Sequence, residues 1–349
     1  MERGVLKDKK GWPGVGNRHV TDFLEKSLQS GRLSSSYIFL GPQDIGKTAA
    51  AIHFAASLLC QNRPEGSYAH PCLDCPSCRQ MKGSSGGLET VHGDFHFLRR
   101  ADGKKNISIE DTREFIRLLS LSSFFNSYKI GIVKDADSLS LDAANALLKT
   151  LEEPQAKVVI MLTVSRLEVL PATIVSRSQV LRFYPVKTSL IYDYLVDDLD
   201  CQRSEAKIVS RLALGRPALA ARLVEEKDFA AAYREKASAF LGFFGSDINS
   251  RLSVVSSLIE KENEEDKVEK SLRILSIWQG AARDALLLSS NNGDLLQHED
   301  QRDGLLAAVR SIGPAGVLRL FKLLKRGEEQ VRANVNPKLV LENIAINIK

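Results

Sequence analysis

The stretch "YIFLGPQDIGKTAAAIHFAASLL", Tyr37 to Leu59, decides the fold. A short apolar run leads into Gly41-x-x-x-x-Gly46-Lys47-Thr48, and an Ala-rich segment of helical character follows. A glycine-bearing loop between strand and helix turns backbone N–H groups and the positive helix end toward phosphate oxygens. In that arrangement Lys47 pairs with the β and γ phosphates of ATP and Thr48 helps to hold magnesium. Asp44 stands where such loops often carry Gly. Asp tolerates a left-handed backbone better than most residues, but its carboxylate would face anionic phosphates, so weakened nucleotide binding is expected.

Outward from this loop, residues 37–184 alternate apolar runs ("YIFL", "KIGIV", "VVIMLTV", "QVLRFY") with helical stretches. That rhythm predicts an α/β core, a parallel sheet with helices on both faces. Beyond Lys187 no strand pattern remains. "SLIYDYLVDDL", "EAKIVSRLALG" and "RPALAARLVEE" read as short amphipathic helices, and a longer helical region follows with Pro only at Pro314 and Pro337. The expected division is an ATPase-like core over 1–185, a helical lid over 186–228 and a helical domain over 229–349. The charged stretch Glu260 to Lys270 reads as a solvated face or loop.

With 349 residues, 44% of them hydrophobic and 26% charged, the chain can bury more than one core. Net charge is +5, too mild to argue for nucleic acid by itself. The first residues are charged and lack an apolar core, and no later run approaches the roughly 18 to 20 apolar residues of a membrane span. A cytoplasmic protein without a membrane partner is expected.

Four of the five cysteines fall in Cys60-x11-Cys72-x2-Cys75-x2-Cys78. Cys-x-x-Cys spacing brings thiolates together in a tight knuckle, and a fourth from the preceding helix closes a tetrahedral, structural Zn²⁺ site. Free thiols or disulfides are the other readings. His70 is a spare ligand, and Cys201 reads as a buried, inert thiol.

"KIGIVKDADSLS" places Asp135 just beyond a strand's carboxyl end, where open α/β sheets bind ligands. There it would help hold magnesium; the other reading is a turn-forming Asp. Nucleotide-hydrolysing proteins of this plan follow that Asp with a Glu that activates water, and here the position is Ala136. A methyl group cannot take a proton, so about 10²- to 10⁴-fold of rate is missing. Alternation along an extended chain would point Asp137 the same way as Asp135.

"AANALLKTLEEP" (Ala143 to Pro154), "LPATIVSRS" (Leu170 to Ser178) and the four-cysteine insert together resemble the clamp-loader subunits of bacterial DNA polymerase III, of the AAA+ superfamily. The likeness runs from "GWPGVGNRHVTDFLEKSLQSGRL" to "NVNPKLVLENIA". Motor (tau/gamma) members carry Asp-Glu where this chain has Asp135-Ala136, so the resemblance is to the non-hydrolysing kind. It implies that Arg177, in Ser176-Arg177-Ser178 where relatives have Ser-Arg-Cys, reaches a neighbour's ATP as an arginine finger; an ordinary surface ion pair is the other reading. It implies a sensor at Thr163 or Ser165, and Ala218 where motor members carry a second sensor Arg. It further implies a hetero-pentamer with tau/gamma and delta chains that loads the sliding clamp onto primer-template DNA. Two alternatives are an ATP-hydrolysing motor subunit and a stand-alone zinc-bearing nucleic-acid-binding protein.

Overall fold

In a computed structural model, the described residues are all except 1–10, 63–69, 85–91, 102–103, 105, 125–127, 154–156, 261–266, 334 and 349. The chain divides into two compact units, residues 1–191 with 215–218 and residues 192–214 with 219–349.

The first unit is built on five parallel strands: β1 (Ser36–Leu40), β2 (Phe95–Leu98), β3 (Lys129–Val133), β4 (Val158–Val164) and β5 (Gln179–Arg182). Their order is β2-β3-β4-β1-β5. The four apolar runs picked out in the sequence are β1, β3, β4 and β5. β2 was not among them, because "FHFL" is an edge strand of four residues with His96 in its middle and only its ends buried. β1, β3 and β4 are buried at every position, as expected where helices cover both faces.

Alternation sorts the strand residues between two cores. Tyr37, Phe39, Ile130, Ile132, Val159 and Met161 pack with helices α1 (Arg18–Ser30) and α2 (Lys47–Leu59). Ile38, Leu40, Val133, Ile160 and Leu162 pack with α4 (Ile109–Ser120), α5 (Leu141–Glu152) and the short α6 (Ala172–Ser176) on the other face. The intervening α3 (Pro76–Ser84) inserts Met81 beneath α2. α4 and α5 start cleanly because Ser108 and Ser140 accept the N–H groups of Asp111 and Ala143. On α2's side Trp12 lies 4.7 Å from the His53 ring and donates from Nε1 to Glu25.

One buried ion pair ties the edge of the sheet. Asp94, fully buried, lies 3.7 Å from the Lys129 ammonium and accepts from Ser123 Oγ and the Phe124 N–H. Lys129 also donates to the carbonyls of Gly93 and Leu118.

The second unit is all helical: α7 (Thr188–Asp197) and α9 (Pro217–Glu225) enter it from the first, and α8 (Arg203–Leu212) belongs to it wholly. α10 (Lys227–Gly242), α11 (Ile248–Glu260), α12 (Lys267–Ser289), α13 (Arg302–Arg332) and α14 (Pro337–Ile346) follow. Its centre is Trp278, fully buried, stacked on Phe240 at 5.2 Å and edge-on to Phe243 at 5.4 Å, with Nε1 donating to the Lys236 carbonyl. Asp284, also buried, accepts the N–H groups of Gln297 and His298 and lies 3.0 Å from His298 Nδ1, fastening the loop before α13 to α12. α13 breaks at Gly313 (φ 64, ψ 171), just before Pro314. Residues 299–332 contain an 18-residue window of mean hydropathy 1.3, long and apolar enough by composition to cross a membrane. Counting uninterrupted apolar runs passes over this window because charged residues are scattered through the helix; Leu305, Val317, Leu320 and Leu324 of it are buried inside the unit. Of the charged stretch at 260–270, residues 261–266 lie outside the described ones.

Two predictions follow from the core. A Cβ on Gly131 would sit 2.5 Å from Phe115 Cζ and 2.9 Å from Leu119 Cδ1, so Gly131→Ala is expected to cost about 1–3 kcal/mol by denaturant unfolding. Burial, with Lys129 nearby, lowers the His96 pKa from 6.5 to about 4, and its buried Nε2 has no partner among the described residues. The folded state therefore favours the neutral ring, and the unfolded chain takes up a proton first as pH falls. Thermal stability should drop between pH 6.5 and pH 4, with a shallower drop in His96→Gln.

Candidate functional site

Parallel register brings the relevant strand ends to one edge. Leu40 lies opposite Val164, and Val133 opposite Leu162, so the loops after β1 and β3 and the last turn of β4 are neighbours. The Gly41 N–H continues the ladder by donating to the Val164 carbonyl at 3.1 Å. The loop then curls into α2 through Asp44 (φ 59) and Gly46 (φ 104). The backbone at Gly46 suits only glycine, whereas Asp44 takes the left-handed conformation that its short polar side chain tolerates.

Lys47 is 5% exposed, and its ammonium donates to the carbonyls of Gly41 at 2.6 Å and Pro42 at 2.8 Å. Burial lowers its pKa, and the charges of Asp135, Asp137 and Asp44 act the other way. Lys47 opens α2, and Thr48 follows it in the first turn.

Asp135 caps a single 3-10 turn, Ala136–Ser138, in left-handed conformation (φ 49, ψ 53). Its N–H donates to Thr163 Oγ1 at 2.9 Å, and Thr163 is fully buried on β4. The chain is therefore not extended here, and Asp137 does not follow Asp135 by strand alternation. The turn carries the Asp137 carboxylate to β4's end, where both oxygens accept the Ser165 N–H at 3.0 Å. Burial raises the Asp137 pKa, partly offset by that bond and by Lys47. Ala136 is 1% exposed and belongs to the core beneath α5. The two sensor candidates have different partners: the Thr163 hydroxyl holds Asp135, and Ser165 holds Asp137.

Arg177 lies apart from the phosphate loop. It is the C-terminal cap residue of α6, and its side chain is 38% exposed. Its Nη2 lies 3.1 Å from Glu152 Oε1, and Nη1 donates to the Thr173 carbonyl at 3.1 Å. Thr173 lies one helical turn back, whereas Glu152 ends a different helix and is not foreshadowed by spacing.

The thiol cluster assembles as its spacing requires. Sγ atoms of Cys60, Cys72, Cys75 and Cys78 all lie within 4.8 Å of one another, and Cys72 and Cys78 are 3.9 Å apart. A tetrahedral site with metal–sulfur bonds of about 2.3 Å has sulfur–sulfur edges near 3.8 Å. None of the cysteines is in a disulfide. The N–H groups of Cys72, Cys75 and Cys78 donate to the sulfurs of Cys60, Cys72 and Cys75, which is how a knuckle steadies thiolates. A hydrogen bond from Cys78 pulls the Cys60 thiol down to about 5, while the same bond and burial push Cys78 up. The sulfurs thus favour thiolate unequally, and a bound cation would supply what the least acidic of them need to ionise. His70 is not in the set; its Nδ1 lies 3.1 Å from His53 Nε2. Cys201 is buried in the second unit, its pKa raised by desolvation.

A strand-loop-helix phosphate cradle, an acid after the adjacent strand and a polar residue on the strand between define a phosphate-loop nucleotide domain. Residues 16–187 match the family model described as "DNA polymerase III, delta subunit". The chain is 26% identical over 343 residues to the DNA polymerase III subunit delta′ of Bacillus subtilis, covering 95% of each. It is 28% identical over 193 residues to the tau subunit of the same organism, 55% of this chain and 32% of that protein. The chain spans less than half the length of the tau and gamma relatives it matches. Among solved structures it is similar to a DNA polymerase III gamma subunit-related protein of Thermotoga maritima, at 18% identity and TM-score 0.45, covering 95% of this chain and 98% of that one. The chain is thus similar over its nucleotide domain to the clamp-loader subunits of DNA polymerase III, and from end to end to a delta′ subunit.

The cluster makes a direct prediction. Chain purified under reducing conditions should carry about one equivalent of tetrathiolate-bound metal by elemental analysis, and Cys72→Ser with Cys75→Ser should reduce this below about half an equivalent.

Proposed function

We propose that this chain is a non-hydrolysing stator of the replicative clamp loader: it helps load the sliding clamp onto primer-template DNA and completes a neighbour's ATP site with Arg177. The observation that carries this reading is the pairing of opposites at two places. Where a hydrolysing subunit needs a water-activating carboxylate, the chain has Ala136 with its methyl group packed in the core. Where a neighbour would need a cation, Arg177 stands exposed at a helix end.

The phosphate cradle suits nucleotide better than turnover. Gly41, Gly46, Lys47, Thr48 and Asp135 would hold ATP and its magnesium, with Lys47 exchanging two loop carbonyls for phosphate oxygens. Asp44 brings a negative charge to the same loop and weakens that binding. Asp137 does not replace the missing Glu, because its carboxylate is engaged by Ser165. The four sulfurs of Cys60, Cys72, Cys75 and Cys78 would hold Zn²⁺, which when bound cross-links the end of α2 to the start of α3 and leaves no coordination position for water.

Three functional parts are proposed within the two units: the core over 1–185 with the zinc insert, a lid over 186–228 and a collar over 229–349. The collar would bring the chain into a hetero-pentamer with tau/gamma and delta subunits in the cytoplasm. Support for this assembly is the end-to-end match to a delta′ subunit. A planar guanidinium placed on developing phosphoryl charge is worth about 10³ to 10⁵ in rate in other phosphoryl-transfer systems.

The purified chain alone should therefore show no steady ATP turnover, whether or not it binds ATP. In the reconstituted loader, Arg177→Ala should assemble normally yet lower turnover at the adjoining site by about 10³-fold, read by single-turnover hydrolysis. Robust turnover by the chain alone would support the motor reading instead, and strong salt-sensitive DNA binding by the isolated chain would support the stand-alone one.

A further inference from the structure

We propose that Glu152 is a clasp on Arg177: its carboxylate holds the guanidinium in the unassembled subunit and must give it up for the neighbour's phosphate. The inference rests on the reading of Arg177 as a finger. It deepens that reading by naming the group that governs when the finger is available.

The geometry of the guanidinium comes first. Nη2 faces Glu152 Oε1 at 3.1 Å, while Nη1 donates to the Thr173 carbonyl at 3.1 Å and reaches Ser176 Oγ at 3.5 Å. Both terminal nitrogens, the pair farthest from the backbone, are thus engaged by the subunit's own acceptors. Nε has no acceptor among the described residues. A finger that crosses an interface presents its terminal nitrogens to phosphoryl oxygens, and the carboxylate occupies the same donors. The two acceptors compete.

The acid's own position points the same way. Glu152 is the last residue of α5, and Glu153 caps it, so two acids stand where the helix's partial negative charge favours cations. Arg177 relieves that repulsion. Leu151 and Ile174 are buried in one core, which fixes the end of α5 against α6 and keeps the clasp within reach. Both side chains remain open to solvent and to a partner, Glu152 at 45% and Arg177 at 38% exposed. An ion pair so exposed is weak, which lets phosphate displace it. Its removal should be worth about two- to fivefold in the availability of the finger.

The test uses the complete reconstituted loader, with Glu152→Gln in this chain. The substitution keeps size and hydrogen bonding but removes the charge. Expected are a kcat/KM for ATP at the adjoining site raised about two- to fivefold, and an advantage that shrinks as added salt screens the clasp in the unsubstituted loader. The melting temperature of the isolated chain should stay level or rise, whereas a pair that only stabilised the fold would lower it. Arg177→Ala in the Glu152→Gln background should erase the gain. Turnover equal to or below the unsubstituted loader's, with Arg177→Ala still defective, overturns the clasp and leaves the finger standing. Full turnover by Arg177→Ala alone overturns the finger, and the clasp with it.

Discussion

The pairing of β1 with β4 and of β4 with β3 is the constraint on which the rest of the nucleotide domain depends. Because all three strands run parallel and are buried on both faces, their carboxyl ends emerge together, and the residues that follow them must still find polar partners. Gly41 finds one in the Val164 carbonyl, and Asp135 finds one in the Thr163 hydroxyl. A one-residue slip of β4 would turn Thr163 to the opposite face and strand Asp135. The same bonds that finish the sheet therefore place Gly41 and Asp135, the two ends of the phosphate site.

That economy explains what the chain has kept and lost. Loop curvature, lysine and strand-end acid are all tied into the fold by hydrogen bonds or burial. The water-activating carboxylate is not: Ala136 fills its place as a core residue, sealed under α5. Restoring a Glu there would bury a carboxylate among apolar side chains, where its ionised form is disfavoured. The turn that carries Ala136 also uses Asp137 to close β4's end.

Much of this was legible in the sequence because it rests on spacing. The Gly-x4-Gly-Lys-Thr loop and the cysteine spacings constrain short pieces of backbone, and short pieces behave locally. Four strands announced themselves as apolar runs, since burial on two faces leaves little room for polar residues. β2 did not, being a short edge strand. Asp137 was misplaced because nothing in "KDADS" signals that Asp135 turns left-handed and ends the strand's alternation. The Arg177–Glu152 and Thr163–Asp135 contacts join residues 25 and 28 positions apart, and only tertiary packing brings them together.

The chain's two tryptophans fall one to each unit. Trp278 is sealed in the helical unit among Phe240 and Phe243, while Trp12 is partly buried against His53 in the unit that holds the thiol cluster. An indole's emission follows the polarity around its own ring, so the protein carries two built-in optical probes with unlike surroundings. Replacing either one leaves the light of a single unit, and each half of the molecule can then be watched melting without a label.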